Sequence, residues 1–224
     1  MSRKRVNPGP GAWFARPAVI WPYGWLLLGW LCLAAAAPAA ETKCIIFFGD
    51  SLTAGYGLDS PDDAFPALIQ RKLAAAGKPW RVVNAGLSGE TTAGGLRRLD
   101  WILRQPADIF VLELGGNDGL RGIPLETSRS NLQAMIDRLR ARYPDVIVVL
   151  AGMQIPPNLG PDYIREFAAM YPGLAEKNHT VLIPFLLEGV GGVPGLNQAD
   201  GLHPNSAGHC LIAETVWQAI KELL

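Results

Sequence analysis

The sequence predicts an α/β domain in which a sheet of five parallel strands has helices on both faces. Five short apolar runs alternate with stretches of helical spacing, and this alternation favours a parallel sheet. The apolar runs are continuous, as is typical of strands that are buried on both faces. Clusters of glycine and polar residues follow the runs, and ligands of such domains bind at that edge of the sheet.

The predicted strands and helices begin after residue 40. The strands are the apolar runs at 44–48, 81–83, 108–114, 146–150 and 181–185. Apolar residues recur at helical spacing in four stretches: 62–76, 126–143, 161–177 and 206–224. We expect Gly77 to end the first helix, Pro172 to break or end the third, and Ser206 to cap the last.

Composition excludes several classes of protein. Of the 224 residues, 49% are hydrophobic and 18% are charged, which suits a globular domain with a sizeable core and argues against disorder. The 20 basic residues balance the 20 acidic ones, so no basic excess points to nucleic acid. Three cysteines are too few for a disulfide framework, and no Cys-x-x-Cys pair suggests a structural zinc site.

The first 39 residues have the pattern of an export signal. They contain no acidic residue and four basic ones: Arg3, Lys4, Arg5 and Arg16. An apolar run follows, and Ala37-Pro38-Ala39 fits the small-x-small pattern that signal peptidase cleaves. We therefore expect a cleaved signal peptide over 1–39, a single domain over 40–224, and a periplasmic or secreted protein. The alternative is an uncleaved membrane anchor, since 17–40 lacks charge and is long enough to span a bilayer.

Export would leave two cysteines, Cys44 and Cys210, in an oxidising compartment. The two could pair, but Cys44 opens an apolar strand and Cys210 lies in an apolar helix. We expect both to be buried free cysteines.

Four polar clusters follow predicted strands or precede the last helix. They are Gly49-Asp50-Ser51-Leu52, the segment 84–92 around Gly86, Gly115-Gly116-Asn117-Asp118, and Asp200-Gly201-Leu202-His203. Each cluster alone also fits a turn or a helix cap. Asp200 lies three residues before His203, so a turn can place its carboxylate against the imidazole, which orients the ring for work as a general base.

The order of Ser51, Gly86, Asn117 and His203 resembles the SGNH or GDSL hydrolase family, whose four letters these residues match. The segments GDSLTAGYGL, NAGLSGETT, LGGNDGLRG and DGLHPN are similar to its periplasmic subgroup of thioesterases, arylesterases and lysophospholipases. The resemblance covers nearly the whole chain after the leader. It implies a three-layer α/β/α sandwich of flavodoxin-like topology and an exported hydrolase of acyl esters, thioesters or lysophospholipids, with no cofactor and no metal.

The family resemblance also implies a role for each matched residue. Ser51 would attack the acyl carbonyl, His203 would take and return the proton, and Asp200 would orient His203. The oxyanion would be bound by the N–H groups of Ser51 and Gly86 and by the side-chain amide of Asn117. Activity is expected to fall at acid pH, because His203 must be neutral to act as a base.

Three acidic residues close to the matched positions have no chemical role in this scheme. Asp50 and Asp118 are expected to hold loops through hydrogen bonds to the backbone. Glu113 lies in the third predicted strand and has no predicted role.

An acyl chain needs apolar walls, and the loops after the third and fourth strands supply candidates. The predicted pocket residues are Leu120, Ile123, Pro124, Ile155, Pro156 and Leu159. The alternative is that these side chains only cover the sheet. The expected partner is a small acyl substrate, with neither nucleic acid nor metal, and the protein is expected to be a monomer.

Three other functions remain open at this point. A carbohydrate O-acetyl esterase would use the same chemistry on a different substrate. A non-catalytic lipid- or glycan-binding module would share the fold without turnover. A flavodoxin-like cofactor binder would hold a phosphate after the first strand, but it leaves Asp200 and His203 unexplained. The remaining histidines, His179 and His209, lack metal-ligand spacing and are interpreted as structural.

Overall fold

The computed structural model describes Gly9, residues 42–156 and residues 159–224. Residues Glu41–Leu224 form one compact unit. The predicted signal peptide at 1–39 lies outside the described residues, apart from Gly9. None of the helices in the described part of the chain is long and apolar enough to cross a membrane.

Within the described residues, one sheet contains five parallel strands. These are β1 Cys44–Gly49, β2 Arg81–Gly86, β3 Ile109–Glu113, β4 Ile147–Ala151 and β5 Val181–Ile183. Their order across the sheet is β2-β1-β3-β4-β5. The predicted parallel α/β fold is therefore confirmed. The direction of winding reverses between β1 and β3, and the segments after these two strands flank the crevice where ligands of such sheets bind.

Helices cover both faces of this sheet. The described α-helices are α1 Ser51–Ala54, α2 Phe65–Ala75, α3 Thr92–Ile102, α4 Gly116–Leu120, α5 Leu125–Arg142, α6 Pro161–Asn178 and α7 Ser206–Ile220. One layer contains α2 packed against α7, and the other contains α3 and α6 packed against α5. The result is the expected three-layer sandwich.

Burial accounts for both sequence patterns that predicted the fold. All residues of β1 and of β3 are buried, in agreement with their continuous apolar sequences. On α5 the fully buried apolar side chains recur on one helix face: Leu132, Met135, Ile136 and Leu139. Burying a side chain of this size contributes about 1.5–3 kcal/mol, so one such face is enough to hold the helix on the sheet.

The structure corrects three details of the predicted elements. β2 runs three residues further than predicted and ends at Gly86, because these residues continue the pairing with β1. α6 passes through Pro172 without ending, since its buried apolar face offsets the lost backbone hydrogen bond. The cap of α7 is Asn205, not Ser206, because the Asn205 side chain accepts a hydrogen bond from the Gly208 N–H at 3.1 Å.

Both described cysteines are free, and only one of them is buried. Cys44 is 2% exposed in β1, as predicted. The prediction of a buried Cys210 is wrong. It lies on the solvent side of α7, whereas Ile212, Ala213 and Val216 face the core. Inward positions on a helix recur every three to four residues, and Cys210 falls outside that set.

Candidate active site

The serine of the first cluster begins α1 directly after β1. Asp50 caps this helix, because its Oδ1 accepts a hydrogen bond from the Leu52 N–H at 3.0 Å. Gly49 must lack a side chain, since a Cβ would lie 2.3 Å from Glu113 Oε2. The Ser51 N–H belongs to the first turn, where a helix supplies no acceptor for it. The turn therefore presents both the hydroxyl and the N–H of Ser51 at the carboxyl end of the sheet.

His203 joins Ser51 to Asp200 in a line of hydrogen bonds. Its Nε2 lies 2.9 Å from Ser51 Oγ, and its Nδ1 lies 2.6 Å from Asp200 Oδ2. Asp200 Oδ1 accepts two more hydrogen bonds, from the N–H groups of Leu202 at 2.9 Å and His203 at 3.0 Å. A carboxylate at Nδ1 favours the tautomer whose Nε2 accepts the hydroxyl proton. The fold thus joins two side chains that lie 152 residues apart in sequence.

The Asp200 carboxylate is ionised at neutral pH. Hydrogen bonds from the backbone and ring of His203, and from the Leu202 N–H, lower the pKa of Asp200 to about 2. A negative charge at this position stabilises an imidazole that has taken up a proton. The pair can therefore support a histidine that accepts a proton and later returns it.

Two residues that the sequence reasoning missed hold the histidine in place. The Tyr56 ring lies 4.7 Å from the His203 ring, centroid to centroid. Gln198 donates from its Nε2 to the Tyr56 carbonyl at 2.7 Å and from its N–H to the His203 carbonyl, also at 2.7 Å. Tyr56 lies within the segment GDSLTAGYGL, so the motif contained a signal for it. Nothing in the sequence pointed to Gln198.

Asn117 lies in the first turn of α4, just beyond the end of β3. Gly115 before it adopts a φ of 115°, a conformation that favours glycine. The Asn117 Nδ2 donates a hydrogen bond to Asp50 Oδ2 at 2.9 Å. The same residue lines a cavity beside Ser51, so the second N–H of the amide can serve a ligand there.

Gly86 is the one predicted oxyanion residue that does not line this cavity. Its N–H donates to the Asn84 side chain at 3.0 Å, within the same strand. The structure supplies a different reason for a glycine, because a Cβ here would lie 2.2 Å from the backbone nitrogen of Ala54. The missing side chain lets α1 pack closely on β2.

Two carboxyl groups, Asp50 and Glu113, are buried next to the serine turn. Burial raises the pKa of Asp50 to about 6, although hydrogen bonds from the Leu52 N–H and Asn117 oppose this shift. Burial, and then the charge of Asp50, raises the pKa of Glu113 well above its usual range. Both buried carboxyls are therefore harder to ionise than free ones, and a charge on either one disfavours a charge on the other.

Asp118, in α4, connects this helix to two others through hydrogen bonds. Its Oδ2 accepts the Thr92 N–H at 2.8 Å, and its Oδ1 accepts the hydroxyls of Thr92 at 2.5 Å and Ser128 at 3.0 Å. Thr92 begins α3, Asp118 lies in α4 and Ser128 lies in α5. The predicted backbone hydrogen bonds are present for both aspartates, since Asp50 accepts the Leu52 N–H.

A cavity of about 130 Å³ lies beside Ser51 and His203. Its apolar lining comes from segments that follow four of the strands: Leu52, Leu120, Met153, Ile155, Pro156, Leu187 and Leu202. A second cavity of about 380 Å³ shares five of the lining residues, among them Ile155, Leu187 and Leu202. The two cavities are therefore neighbours, and together they extend away from the serine towards Phe185.

Half of the predicted pocket residues line the cavity beside the serine: Leu120, Ile155 and Pro156. The structure does not bring Ile123, Pro124 or Leu159 to either cavity. The Ile123 carbonyl accepts a hydrogen bond from the Tyr163 hydroxyl, Pro124 precedes α5, and Leu159 is 37% exposed. Sequence reasoning missed Leu187 and Leu202, which reach the cavity from the long segment after β5.

The other two histidines serve the fold. His209 is buried in α7, and its Nδ1 accepts the Phe65 N–H at 3.2 Å. His179 ends α6 in the left-handed conformation, with a φ of 48°. Across the described ranges, no group of three or more His, Cys, Asp or Glu side chains is arranged to hold a metal ion.

A family model described as the GDSL-like lipase/acylhydrolase family matches residues 47–211. Esterase TesA of Pseudomonas aeruginosa is 45% identical over 201 residues, which cover 89% of this chain and 98% of that protein. Thioesterase 1/protease 1/lysophospholipase L1 of Escherichia coli is 37% identical over 187 residues, covering 83% of this chain and 87% of that protein.

One solved structure is similar over nearly the whole of its chain. It is the psychrotrophic esterase EstA from a Pseudoalteromonas species, inhibited by monoethylphosphonate. The TM-score is 0.76 and the sequence identity 35%, and the match covers 81% of this chain and 98% of that chain.

Proposed function

We propose that this chain, which belongs to the GDSL-like lipase/acylhydrolase family and is an SGNH-type esterase, cleaves its substrates through an acyl intermediate on Ser51. The observation that carries the proposal is the line of hydrogen bonds from Ser51 through His203 to Asp200, beside an apolar cavity. The relatives named esterase and thioesterase support carboxylic esters and thioesters as the substrate class.

In the first step, Ser51 Oγ attacks the carbonyl carbon of the substrate. A serine hydroxyl is a weak nucleophile until a neighbouring base takes its proton, and His203 Nε2 lies 2.9 Å away to do so. The ionised Asp200 stabilises the imidazolium that forms. The product of this step is a tetrahedral intermediate with a negative charge on the former carbonyl oxygen.

We assign this oxyanion to the Ser51 N–H and the Asn117 side-chain amide. Ser51 and Asn117 line the same cavity, and the hydrogen bond from Asn117 to Asp50 fixes the amide in position. The Gly86 N–H donates to the Asn84 side chain, so it can bind the oxyanion only if that hydrogen bond breaks. Loss of one such donor typically costs about 100- to 1000-fold in rate.

In the second half of the reaction, His203 returns its proton to the leaving alcohol or thiol as the intermediate collapses to an acyl-serine. A water molecule then attacks the acyl carbonyl and gives a proton to His203 Nε2. Collapse of this second intermediate releases the carboxylic acid and restores the Ser51 hydroxyl. Each step uses only groups of this chain and water.

The acyl chain has an apolar path away from the serine. Leu120, Ile155 and Leu202 line the first cavity, and Ile155 and Leu202 also line the second. We infer that short chains occupy the first cavity and longer chains continue into the second, so medium and long acyl chains are the favoured substrates.

We infer that residues 1–39 direct export and are removed, and that residues 40–224 act as a monomeric hydrolase in the periplasm or outside the cell. The basic start, apolar run and Ala37-Pro38-Ala39 of the sequence support this location. N-terminal sequencing of the protein recovered from the periplasmic fraction should begin near residue 40. A protein that stays in the membrane with an intact leader would favour the anchor.

The first experiment compares residues 40–224 with Ser51→Ala. The substrates are p-nitrophenyl acetate, butyrate, octanoate and palmitate, together with palmitoyl-CoA. We expect turnover to peak at medium or long chains, and to fall by about 10⁵-fold or more in the variant, because the nucleophile is gone. An ethyl phosphonate ester should label Ser51, as read by peptide mass spectrometry.

A matched control is Ser130→Ala, which removes a hydroxyl from the exposed side of α5. Its activity should equal that of the parent protein. Full activity in Ser51→Ala would overturn the proposal. Activity confined to acetate would point to acetylated carbohydrates, and acyl binding without turnover in the parent protein would point to a binding module.

A further inference from the structure

We propose that the carboxyl group of Glu113, held in its protonated form, is a positioning residue that fixes the serine turn and, through Asp50, the Asn117 amide. This proposal rests on the function proposed above for Ser51. It assigns a role to a buried acidic residue that takes no part in the acyl transfer itself.

The Glu113 carboxyl group lies beneath the turn that carries the nucleophile. Glu113 is the last residue of β3 and is fully buried. Its Oε2 accepts two hydrogen bonds, from the Asp50 N–H at 3.1 Å and from the Thr53 hydroxyl at 2.8 Å. These two residues enclose Ser51 and Leu52 in the sequence, so one oxygen atom holds the turn on both sides of the serine.

The same oxygen occupies the space of a missing side chain. A Cβ on Gly49 would lie 2.3 Å from Glu113 Oε2 and 2.2 Å from Thr53 Oγ1. The turn and the carboxyl group are therefore packed in direct contact. A shorter or displaced side chain at position 113 would leave Asp50 and Thr53 without their shared acceptor.

Asp50 extends this connection to the oxyanion site. Its N–H is bound to Glu113, while its carboxylate accepts the Leu52 N–H at 3.0 Å and Asn117 Nδ2 at 2.9 Å. Glu113 therefore orients Asp50, and Asp50 orients the Asn117 amide. The nucleophile and an oxyanion donor are set by one buried chain of hydrogen bonds.

Three observations favour a neutral Glu113. Its Oε1 is buried and has no hydrogen-bond partner among the described residues, which costs a charged oxygen far more than a neutral one. The buried carboxyl of Asp50 lies close by, and a negative charge on it disfavours a second charge on Glu113. Full burial also raises the pKa of Glu113 well above its usual range.

Among the residues that the structure describes, no positively charged group forms an ion pair with Glu113. The Tyr171 phenol of α6 faces the two carboxyls and Asp118 of α4. His203 acts on Asp50, on the far side of the pair. Arg98 of α3 donates to the Gly49 carbonyl but forms its ion pair with Glu90.

The test compares Glu113→Met, Glu113→Gln and Thr53→Val. Methionine removes the acceptor, glutamine keeps a neutral acceptor, and valine removes the hydroxyl that binds it. We expect Glu113→Met to lower kcat and the rate of phosphonate labelling by about 10- to 100-fold with little change in KM, because the reacting groups are misplaced rather than lost. Thr53→Val should lower both in the same direction, and Glu113→Gln should recover most of the loss seen with methionine.

The control is Thr180→Val, which also removes a buried threonine hydroxyl but lies next to β5, away from the serine turn. Its kcat should equal that of the parent protein. The melting temperature of each variant separates loss of folding from loss of rate. If Glu113→Met does not fold, the test depends on Thr53→Val. A kcat and labelling rate equal to those of the parent protein in Thr53→Val would then overturn the proposal.

The pH profile tests the protonated form separately. Glu113→Gln removes no charge if Glu113 is neutral, so the fall of kcat/KM at acid pH should stay where it is in the parent protein. A shift of that fall to lower pH would mean that a negative charge has been removed, and would overturn the neutral carboxyl. If the parent protein is not labelled at Ser51, the proposed function fails. If it is labelled and the Glu113→Met and Thr53→Val variants are labelled equally fast, only the positioning role fails.

Discussion

At the scale of single residues, the proposed reactivity of Ser51 depends on how the His203 ring is held. The ring is bound at both nitrogens, by Ser51 Oγ and by Asp200 Oδ2, and the Tyr56 ring lies against it. Asp200 is itself fixed by the backbone N–H groups of His203 and Leu202, and these bonds, together with the one from the His203 ring, lower its pKa to about 2. The carboxylate that orients the ring is therefore also the group that would stabilise an imidazolium during the proposed reaction.

Replacing Asp200 with Asn should remove the effect of the carboxylate on His203 while the protein remains folded. The amide keeps the size of the side chain but loses the charge and no longer selects the required tautomer. We expect kcat to fall by about 10³- to 10⁴-fold, with a melting temperature close to that of the parent protein. The measurement is kcat on p-nitrophenyl octanoate, with Asp145→Asn, an exposed aspartate before β4, as the control. A loss below tenfold would remove Asp200 from the proposed role.

At the scale of elements, the start of α2 is completed by a residue from α7. Ala64, the cap of α2, has no side-chain acceptor, and the Phe65 N–H instead donates to His209 Nδ1 at 3.2 Å. The two rings are also stacked, with centroids 6.1 Å apart. Burial lowers the pKa of His209 from 6.5 to about 4, although the charge of Asp63 opposes this shift. A neutral His209 is thus part of the contact between α2 and α7.

This contact should make the folded protein sensitive to acid. The unfolded chain takes up a proton at His209 near pH 6.5, whereas the folded chain does so only near pH 4. The unfolded state therefore binds more protons in this window, and the free energy of unfolding falls as the pH is lowered. We expect a contribution of about 2 kcal/mol to be lost between pH 7 and pH 5.

The His209→Asn variant tests this prediction. Asparagine can accept the Phe65 N–H through its Oδ1 but does not titrate. Urea unfolding at pH 7 and pH 5 should show a smaller pH dependence in the variant than in the parent protein. An equal dependence in both proteins would mean that His209 does not contribute.

At the scale of the whole molecule, the cavity beside Ser51 is formed by the sheet as a whole rather than by one segment of the chain. Its walls come from segments after β1, β3, β4 and β5, which meet only because the carboxyl ends of parallel strands share one edge. Most of the large exposed hydrophobic side chains in the described residues also follow strands: Tyr56, Leu87, Leu120, Leu159, Val193 and Leu202. Two of them, Leu120 and Leu202, also line the cavity beside Ser51.

Filling the junction of the two cavities should shorten the preferred acyl chain. Leu187 lines both cavities and is 8% exposed. Leu187→Phe places a larger ring there, so kcat/KM for the palmitate ester should fall by about tenfold or more relative to the acetate ester. The control is Leu211→Phe, at an exposed position of α7, which should leave the ratio unchanged. An equal loss of kcat/KM on both esters would mean that the acyl chain of the substrate does not bind next to Leu187.

Much of the candidate site could be predicted because its residues lie in short motifs that resemble those of the family, and two of these motifs directly follow strands. Ser51 and Asn117 come within four residues of the ends of β1 and β3, and Asp200 and His203 are neighbours in one turn. The roles of these residues remain predictions until the variants are measured. Gly86 was harder to interpret, because the same glycine serves close packing against Ala54, which lies 32 residues earlier in the chain.

The sequence by itself determined the parallel sheet, four of its helices (α2, α5, α6 and α7) and the family, since continuous apolar runs, helical spacing and short motifs are local properties. Only the tertiary structure decided which apolar loops form the cavity, that Glu113 supports the serine turn, that His209 caps α2, and that Cys210 faces solvent. These features depend on contacts between residues up to about 150 positions apart, and on which face of an element meets the core. No local pattern specifies such contacts, because they are fixed by how the layers pack on one another.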